Sequence, residues 1–270
     1  MHYDPIKEQL GKVFNKKPSL RKLFYLLLDI LLLRSWHVHK TVSACFSSPA
    51  EELKILDAGM GFGQYTWWML KKFRKATITA ADIKAEQVKD CNNFFNKCNI
   101  SDRVKAIEAD LTQLSTADTY DLILCVDVME HILEDTLVFK NFNSSLKNGG
   151  TLVISTPSDK GGSDVHGDSD ESFIGEHVRD GYSVEEITKK LSECGFKDVI
   201  ASYTYGTPGS IAWRLSMKLP VIMLSWSKIL FLFLPLYYLV VMPFCLLLNY
   251  FDLRMRHRQG TGLLVTAVKK

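Results

Sequence analysis

Short apolar runs recur along the first two thirds of the chain, and the segments between them are long enough to hold helical crossovers. Ile55 to Ala58 reads as a buried strand that breaks into a glycine-rich turn and opens a helix near Gln64. Thr77 to Asp82 and Val104 to Leu111 follow as further strands, each ending in an acid or carrying one close behind. Tyr120 to Asp127 is almost continuously apolar, the pattern of a central parallel strand covered on both faces. Leu146 to Pro157 reads as a helix end stopped at Gly149 and Gly150, then a fifth strand. Ser183 is a suitable N-cap for a helix over Val184 to Cys194. This alternation predicts an α/β domain with a doubly wound, mostly parallel sheet. Two stretches stand outside the alternation: an apolar segment from Leu20 to Leu33, and a longer one from Ile229 to Phe251 that contains no charged residue.

The turn after the first strand, Asp57-Ala58-Gly59-Met60-Gly61-Phe62-Gly63, limits the ligand. Glycine at alternate positions lets the backbone approach a ligand closely, and the helix that follows aims unpaired amides at the ligand's polar end. A dinucleotide fingerprint needs a third glycine where Gln64 stands, and here it comes one residue early, at Gly63. About 25 residues after Asp57 comes Asp82, where an acid accepts hydrogen bonds from ribose hydroxyls.

With the Asp127-Val128-Met129-Glu130-His131 segment, these motifs resemble, in order over roughly residues 51 to 205, the class I S-adenosylmethionine-dependent methyltransferases of the ubiquinone and menaquinone type. The resemblance implies a Rossmann-like seven-stranded sheet and the cofactor S-adenosyl-L-methionine. It implies that Asp57, helped by backbone around Gly59 and Gly61, holds the methionine end, that Asp82 binds the ribose and that Asp110 lies beside the adenine, with Gly63, Gln64, Tyr65, Ile83, Leu111 and Asp127 as the other cofactor-binding residues. It also implies a sixth strand near Phe196 to Tyr205 and a last strand at Gly262 to Val268. The domains are then a helical cap over 1–50, the core over 51–205, an apolar insert over 206–259 and the final strand over 260–270.

With 270 residues the chain can bury a substantial core, and a net charge of +3 gives no general electrostatic reason to expect nucleic acid. The six cysteines form no Cys-x-x-Cys pair, which favours reduced thiols in a cytoplasmic setting. Val42-Ser43-Ala44-Cys45 resembles a lipoprotein cleavage box only superficially, because a polar run separates it from the apolar segment before it. No metal site is implied: Asp164, His166, Asp168 and Asp170 lack the calcium-loop pattern, and the polar stretch from Asp159 to Glu171 reads as a movable lid or a solvated loop.

The apolar segments bear on the partner. Leu20 to Leu33, at about 14 residues, is too short to span a bilayer comfortably, and it reads either as a core-packing helix or as an interfacial one with a basic start. The Ile229 to Phe251 segment has transmembrane character, yet a final strand that must pair with strand six requires both its ends on one side of the membrane. Monotopic insertion, a full helical hairpin and a buried or dimeric packing face all meet that condition. Basic residues at both flanks, Arg214 and Lys218 before and Arg254, Arg256 and Arg258 after, mark both ends as cytoplasmic.

Methyl transfer to a hydroxyl needs a base, and His131 and His177 are the candidates, each with a purely structural role as the alternative. The expected function is a membrane-associated methyltransferase acting on an oxygen of a lipophilic small-molecule acceptor: a quinone precursor, an aryl polyene-like pigment or a lipid head group. Carbon methylation and a catalytically idle cofactor-binding membrane adaptor are the alternatives.

Overall fold

Proline at the first helical turn starts α1 (Pro18–Leu31), which ends where Leu32 turns extended. A second helix, α2 (Leu33–Cys45), follows at once. The computed structural model describes residues 17–46, 48, 52–161, 178–226 and 228–270. The apolar run read as one segment to Leu33 is therefore cut at Leu32, and the polar run after it is helical. Its buried face carries Ser35 and His37 beside Val38 and Val42, so hydrophobic spacing does not reveal it.

Then come β1 (Lys54–Ala58), α3 (Gln64–Lys72), β2 (Thr77–Asp82), α4 (Ala85–Lys97), β3 (Val104–Glu108), β4 (Tyr120–Val126), α5 (Asp135–Ser145), β5 (Leu146–Pro157), α6 (Val184–Glu193) and β6 (Phe196–Thr204). The sheet has seven strands in the order β3-β2-β1-β4-β5-β7-β6, with β7 (Gly262–Lys269) antiparallel between β5 and β6. The chain reverses its winding between β1 and β4, which opens a crevice at the carboxyl ends of those strands. In β4, Leu122 and Leu124 join one hydrophobic layer while Ile123 and Cys125 join the other. Burial on both faces explains why this strand shows no alternation. The glycine pair expected to stop a helix lies inside β5: α5 already ends at Ser145, and Gly149 and Gly150 sit where the register with β4 shifts between Tyr120 and Leu122.

Between β6 and β7 the insert forms two helical arms. The first is α7 (Thr207–Trp213), a π-helical turn (Arg214–Lys218) and α8 (Leu219–Trp226). A 3-10 stretch (Lys228–Phe233) leads into α9 (Leu234–Arg254), which packs back along α7 and the π turn. Pro220 has no amide to bond Leu215 O in the π register or Ser216 O in an α register. The hydroxyls of Tyr237 and Tyr238 donate to those two carbonyls, at 2.6 and 2.9 Å.

The arms are fixed to the body at their base. The fully buried Asp252 carboxylate accepts from the Gly209 amide (3.0 Å) and meets His37 Nε2 (3.0 Å) and His257 Nε2 (3.2 Å). A side chain at Gly209 would stand 2.6 Å from Leu33 Cδ2, so only glycine lets α7 approach this closely. One buried carboxylate thus ties the cap helix α2 to both arms. Thr204 and Pro157 both pair with Gly262, so the arms leave and rejoin the body at the carboxyl edge of β5 and β6, the edge that holds the crevice.

Candidate active site

β1 delivers Asp57 to the crevice, where it is buried and accepts from Thr66 Oγ1 of α3. Burial pushes its carboxyl up from 3.8 to about 7, although the Thr66 hydroxyl favours the charged form. The turn then folds back on β2: the amides of Gly59 and Met60 both donate to Ala81 O, at 2.8 and 2.9 Å. Gly59, Gly61 and Gly63 all have positive φ, and a Cβ on Gly59 would overlap the Val128 side chain. At Gly61 the nearest atom to such a Cβ is Gln87 Oε1 at 3.9 Å, so that stretch of backbone lies open.

Asp82 ends β2 under this turn. Its Oδ2 accepts from the Gly61 amide (2.9 Å) and its Oδ1 from the Lys84 amide (2.9 Å). Ile83 beside it is largely exposed. Asp110 accepts from the amide and hydroxyl of Thr112 (2.9 and 2.7 Å) and so caps the single turn Leu111–Gln113, whose Leu111 is buried. Asp127, with φ +51°, follows β4 and forms an ion pair with Arg34 of α2.

The structure thus brings Asp57, the three glycines, Asp82, Asp110 and Asp127 to the carboxyl ends of β1 to β4. Gln64 and Tyr65 sit at the start of α3 but turn toward the cap. Gln64 Nε2 donates to Asp29 Oδ1 (2.7 Å) and Ser35 Oγ (2.9 Å), and the Tyr65 hydroxyl meets Arg34 Nε (3.3 Å) and Ser35 Oγ (3.4 Å). His131 lies exposed on a 3-10 turn just past β4. His177 and the polar run containing Asp164, His166, Asp168 and Asp170 lie outside the described residues.

Several residues not singled out in the sequence complete the site. Arg21 of α1 is buried and reaches across to Phe62 O (2.8 Å), Asp90 O (3.0 Å) and the Tyr25 hydroxyl (2.6 Å), while Tyr25 also donates to Phe62 O. The cap therefore grips the glycine turn from outside. Glu130 is almost fully buried, accepts from Thr156 Oγ1 (3.2 Å), and has its carboxyl raised by that burial. Arg179 clamps the segment after β4 through Asp135 and the carbonyls of Ile132 (2.7 Å) and Leu133 (3.1 Å). Burial draws the Asp135 carboxyl upward, but Lys190, Tyr182 and Arg179 together hold it below its usual range. Glu130 lies in the Asp127-Val128-Met129-Glu130-His131 segment, whereas the partners of Arg21 and Arg179 are set by tertiary contact alone.

A nucleoside sulfonium fits these groups. The open backbone at Gly61 takes close approach, the carboxylates at strand ends suit ribose hydroxyls, and a buried carboxyl with a raised pKa gains from a positive ligand. Fold and site together define a doubly wound protein with an acid-lined crevice at its switch point.

Residues 55–150 match the family described as methyltransferase domain. Malonyl-[acyl-carrier protein] O-methyltransferase of Priestia megaterium is 33% identical over 106 residues, covering 39% of this chain and 37% of that protein. Ubiquinone biosynthesis O-methyltransferase of Rickettsia akari is 23% identical over 133 residues, covering 49% of this chain and 51% of that protein. The chain thus spans between a third and about half of these relatives' length. Among solved structures, Haemonchus contortus phosphoethanolamine N-methyltransferase 2 in complex with S-adenosyl-L-methionine matches with a TM-score of 0.62 at 18% identity, over 87% of this chain and 52% of that one. An S-adenosylmethionine-dependent methyltransferase from Mesorhizobium loti matches with 0.56 at 17% identity, over 88% and 100%. Residues 55–150 thus resemble a methyltransferase domain, and the seven-stranded fold is that of solved S-adenosylmethionine-dependent methyltransferases.

Proposed function

We propose that the protein transfers a methyl group from S-adenosyl-L-methionine to a hydroxyl oxygen of a lipophilic acceptor held at the cytoplasmic surface of a membrane. The observation that carries this reading is the apolar helical hairpin that leaves and returns at the same sheet edge as the cofactor crevice.

Among the described residues, α9 is the one helix long and apolar enough to cross a bilayer, with 21 residues and a mean hydropathy of 1.7. Only 17% of its apolar window is buried, unlike a core helix. Its last turns are held on the body through Cys245, Asn249 and Asp252. The part that stands clear, Leu234 to Phe244, is roughly 16 Å long at 1.5 Å per residue, about half of a 30 Å hydrocarbon core. Such a hairpin dips into one leaflet and does not span.

One charge, Lys228, stands in the 3-10 stretch between the arms, at a cost of about 3 kcal/mol if carried to the bilayer centre. Against it, Leu219, Val221, Ile222, Leu232, Phe233 and Leu236 are exposed and would bury about 1 kcal/mol or more apiece in lipid. Insertion wins on that balance. α1 adds a second exposed apolar face through Leu23, Leu26, Leu27, Ile30 and Leu31, while its opposite side grips the glycine turn. The acceptor's tail then stays in lipid while its head reaches the crevice.

In this reading the cofactor supplies an already activated methyl group. Asp57 holds its cationic end, Asp82 its ribose, and Asp110 and Ile83 flank its base. His131 takes the acceptor's proton, and Arg34, paired to Asp127, closes the crevice against water. A quinone precursor, an aryl polyene-like pigment and a lipid head group all meet the requirement for the acceptor.

Full-length protein in nanodiscs, given radiolabelled S-adenosylmethionine and a membrane lipid extract, is expected to yield an organic-phase product one methylene unit heavier by mass spectrometry. His131→Ala is expected to lower kcat about 100-fold without changing cofactor affinity. Cofactor binding with no transfer to any lipid fraction would instead favour the adaptor. In a separate titration, Asp82→Ala is expected to weaken cofactor binding more than 100-fold, since both the ribose acceptor and the brace on the Gly61 amide go; unchanged affinity would remove the ribose assignment.

A further inference from the structure

The π turn in the first arm gathers two cations beside an apolar wall. Arg214 and Lys218 lie four residues apart and line an open-sided cavity of about 410 Å³ with Leu215, Leu219 and Ile222. Four-residue spacing places both cations on one side of the arm. π turns are rare in helices and recur at functional sites. Here the turn is held in place from α9, because the Tyr237 and Tyr238 hydroxyls occupy the carbonyls of Leu215 and Ser216. Beyond it α8 carries no charge and presents exposed Leu219, Val221 and Ile222. The cavity therefore changes from cationic to apolar along the direction in which the hairpin would enter lipid.

We propose that this cavity binds the phosphate of an anionic membrane phospholipid, with Arg214 and Lys218 on the phosphate and an acyl chain along Leu215, Leu219 and Ile222. The inference rests on the membrane reading of the hairpin and adds to it a headgroup specificity. Two nearby cations suit one phosphate, the leucines and isoleucine suit a chain attached to it, and the tyrosines at that height suit the headgroup layer. A bound anionic lipid at this position would fix the depth of the hairpin and hence the height of the crevice above the bilayer.

The test uses full-length protein and sedimentation with two kinds of vesicle, phosphatidylcholine alone and phosphatidylcholine with phosphatidylglycerol. The protein is expected to bind the mixed vesicles at least tenfold more tightly. Arg214→Gln with Lys218→Gln is expected to remove that preference, at about fivefold per cation, while cofactor affinity, which reports a folded core, stays unchanged. Arg256→Gln with Arg258→Gln, which removes two cations near the hairpin base but outside the cavity, is expected to cost less than threefold.

Equal losses from the two pairs would reduce the effect to diffuse attraction and overturn the site. Equal binding to both vesicle types would overturn the site and leave the membrane reading intact, whereas binding to neither would overturn both. Displacement from vesicles by soluble glycerol phosphate at moderate excess would reassign the cavity to a free phosphate and overturn the lipid.

Discussion

Asp57→Asn is expected to make the cofactor-free protein more stable above neutral pH and, at the same time, to cripple cofactor binding. The carboxyl is buried and its pKa stands at about 7 against 3.8 when unperturbed. The folded state therefore keeps a proton that the unfolded chain releases, so this group favours folding fully below about pH 4 and loses that contribution as pH rises toward 7. A shift of this size corresponds to about 4 kcal/mol, part of which the Thr66 hydroxyl already offsets within it. Asparagine cannot ionise and still accepts from Thr66, so a net gain of about 2 kcal/mol at pH 8 is expected, or roughly 5 °C in Tm. The gain should vanish at pH 4.5. Calorimetric scans of both proteins at the two pH values measure it, and a variant less stable at pH 8 than at 4.5, relative to the parent, would contradict the raised pKa of this carboxyl.

Under the proposed reading, the same substitution removes the negative partner of a cationic ligand, which costs about 3 kcal/mol or more, a loss of about 100-fold in affinity. In the parent, affinity for the cofactor should rise between pH 6 and 8, because binding to the ionised carboxyl displaces its proton. Stability gained and function lost at one residue is the expected mark of a buried group placed for its ligand.

The strands were legible because β1 and β4 are apolar on both faces, and their terminal carboxylates were legible because Asp57 and Asp82 each stand where a run of apolar residues stops. α2 was not. Its buried positions include Ser35 and His37, which are inside because Gln64 and Asp252 meet them there, and no local period encodes a partner on another element. The glycine loop shows the same division. Gly59, Gly61 and Gly63 announced a turn, but the hands that grip it, Arg21 and Tyr25, come from a helix whose apolar residues drew attention to the opposite face. Gln64 and Tyr65 were placed in the right element and turned the other way, toward the cap, because the outer side of α3 is where α1 and α2 bury their polar groups. That the insert must return to the body followed from the pairing of the last strand. That it does so as two packed arms depends on tyrosine hydroxyls answering carbonyls that Pro220 leaves without a partner, a match visible only once α9 lies beside the π turn.

Removing the hairpin tip should separate membrane binding from cofactor binding. The arms are tied to the body through Ala212, Gly209, Cys245 and Asp252, so a cut above that level, joining Trp213 to Phe244 by a short glycine-serine linker, leaves every base contact in place. The truncated protein is expected to stay in solution without detergent, with cofactor affinity within threefold of the parent. It should lose vesicle binding by 100-fold or more, since the deleted segment carries Leu219, Val221, Ile222, Leu232, Phe233 and Leu236, whose burial in lipid together is worth at least several kcal/mol. Transfer to a long-tailed acceptor in vesicles should fall by a similar factor through KM, while transfer to a short-chain, water-soluble analogue of the same head should hold. A parallel loss on both acceptors would place the hairpin in the catalytic core. Loss of folding, read from the thermal transition, would make the tip part of the core's own stability and remove the reason for reading it as a lipid anchor.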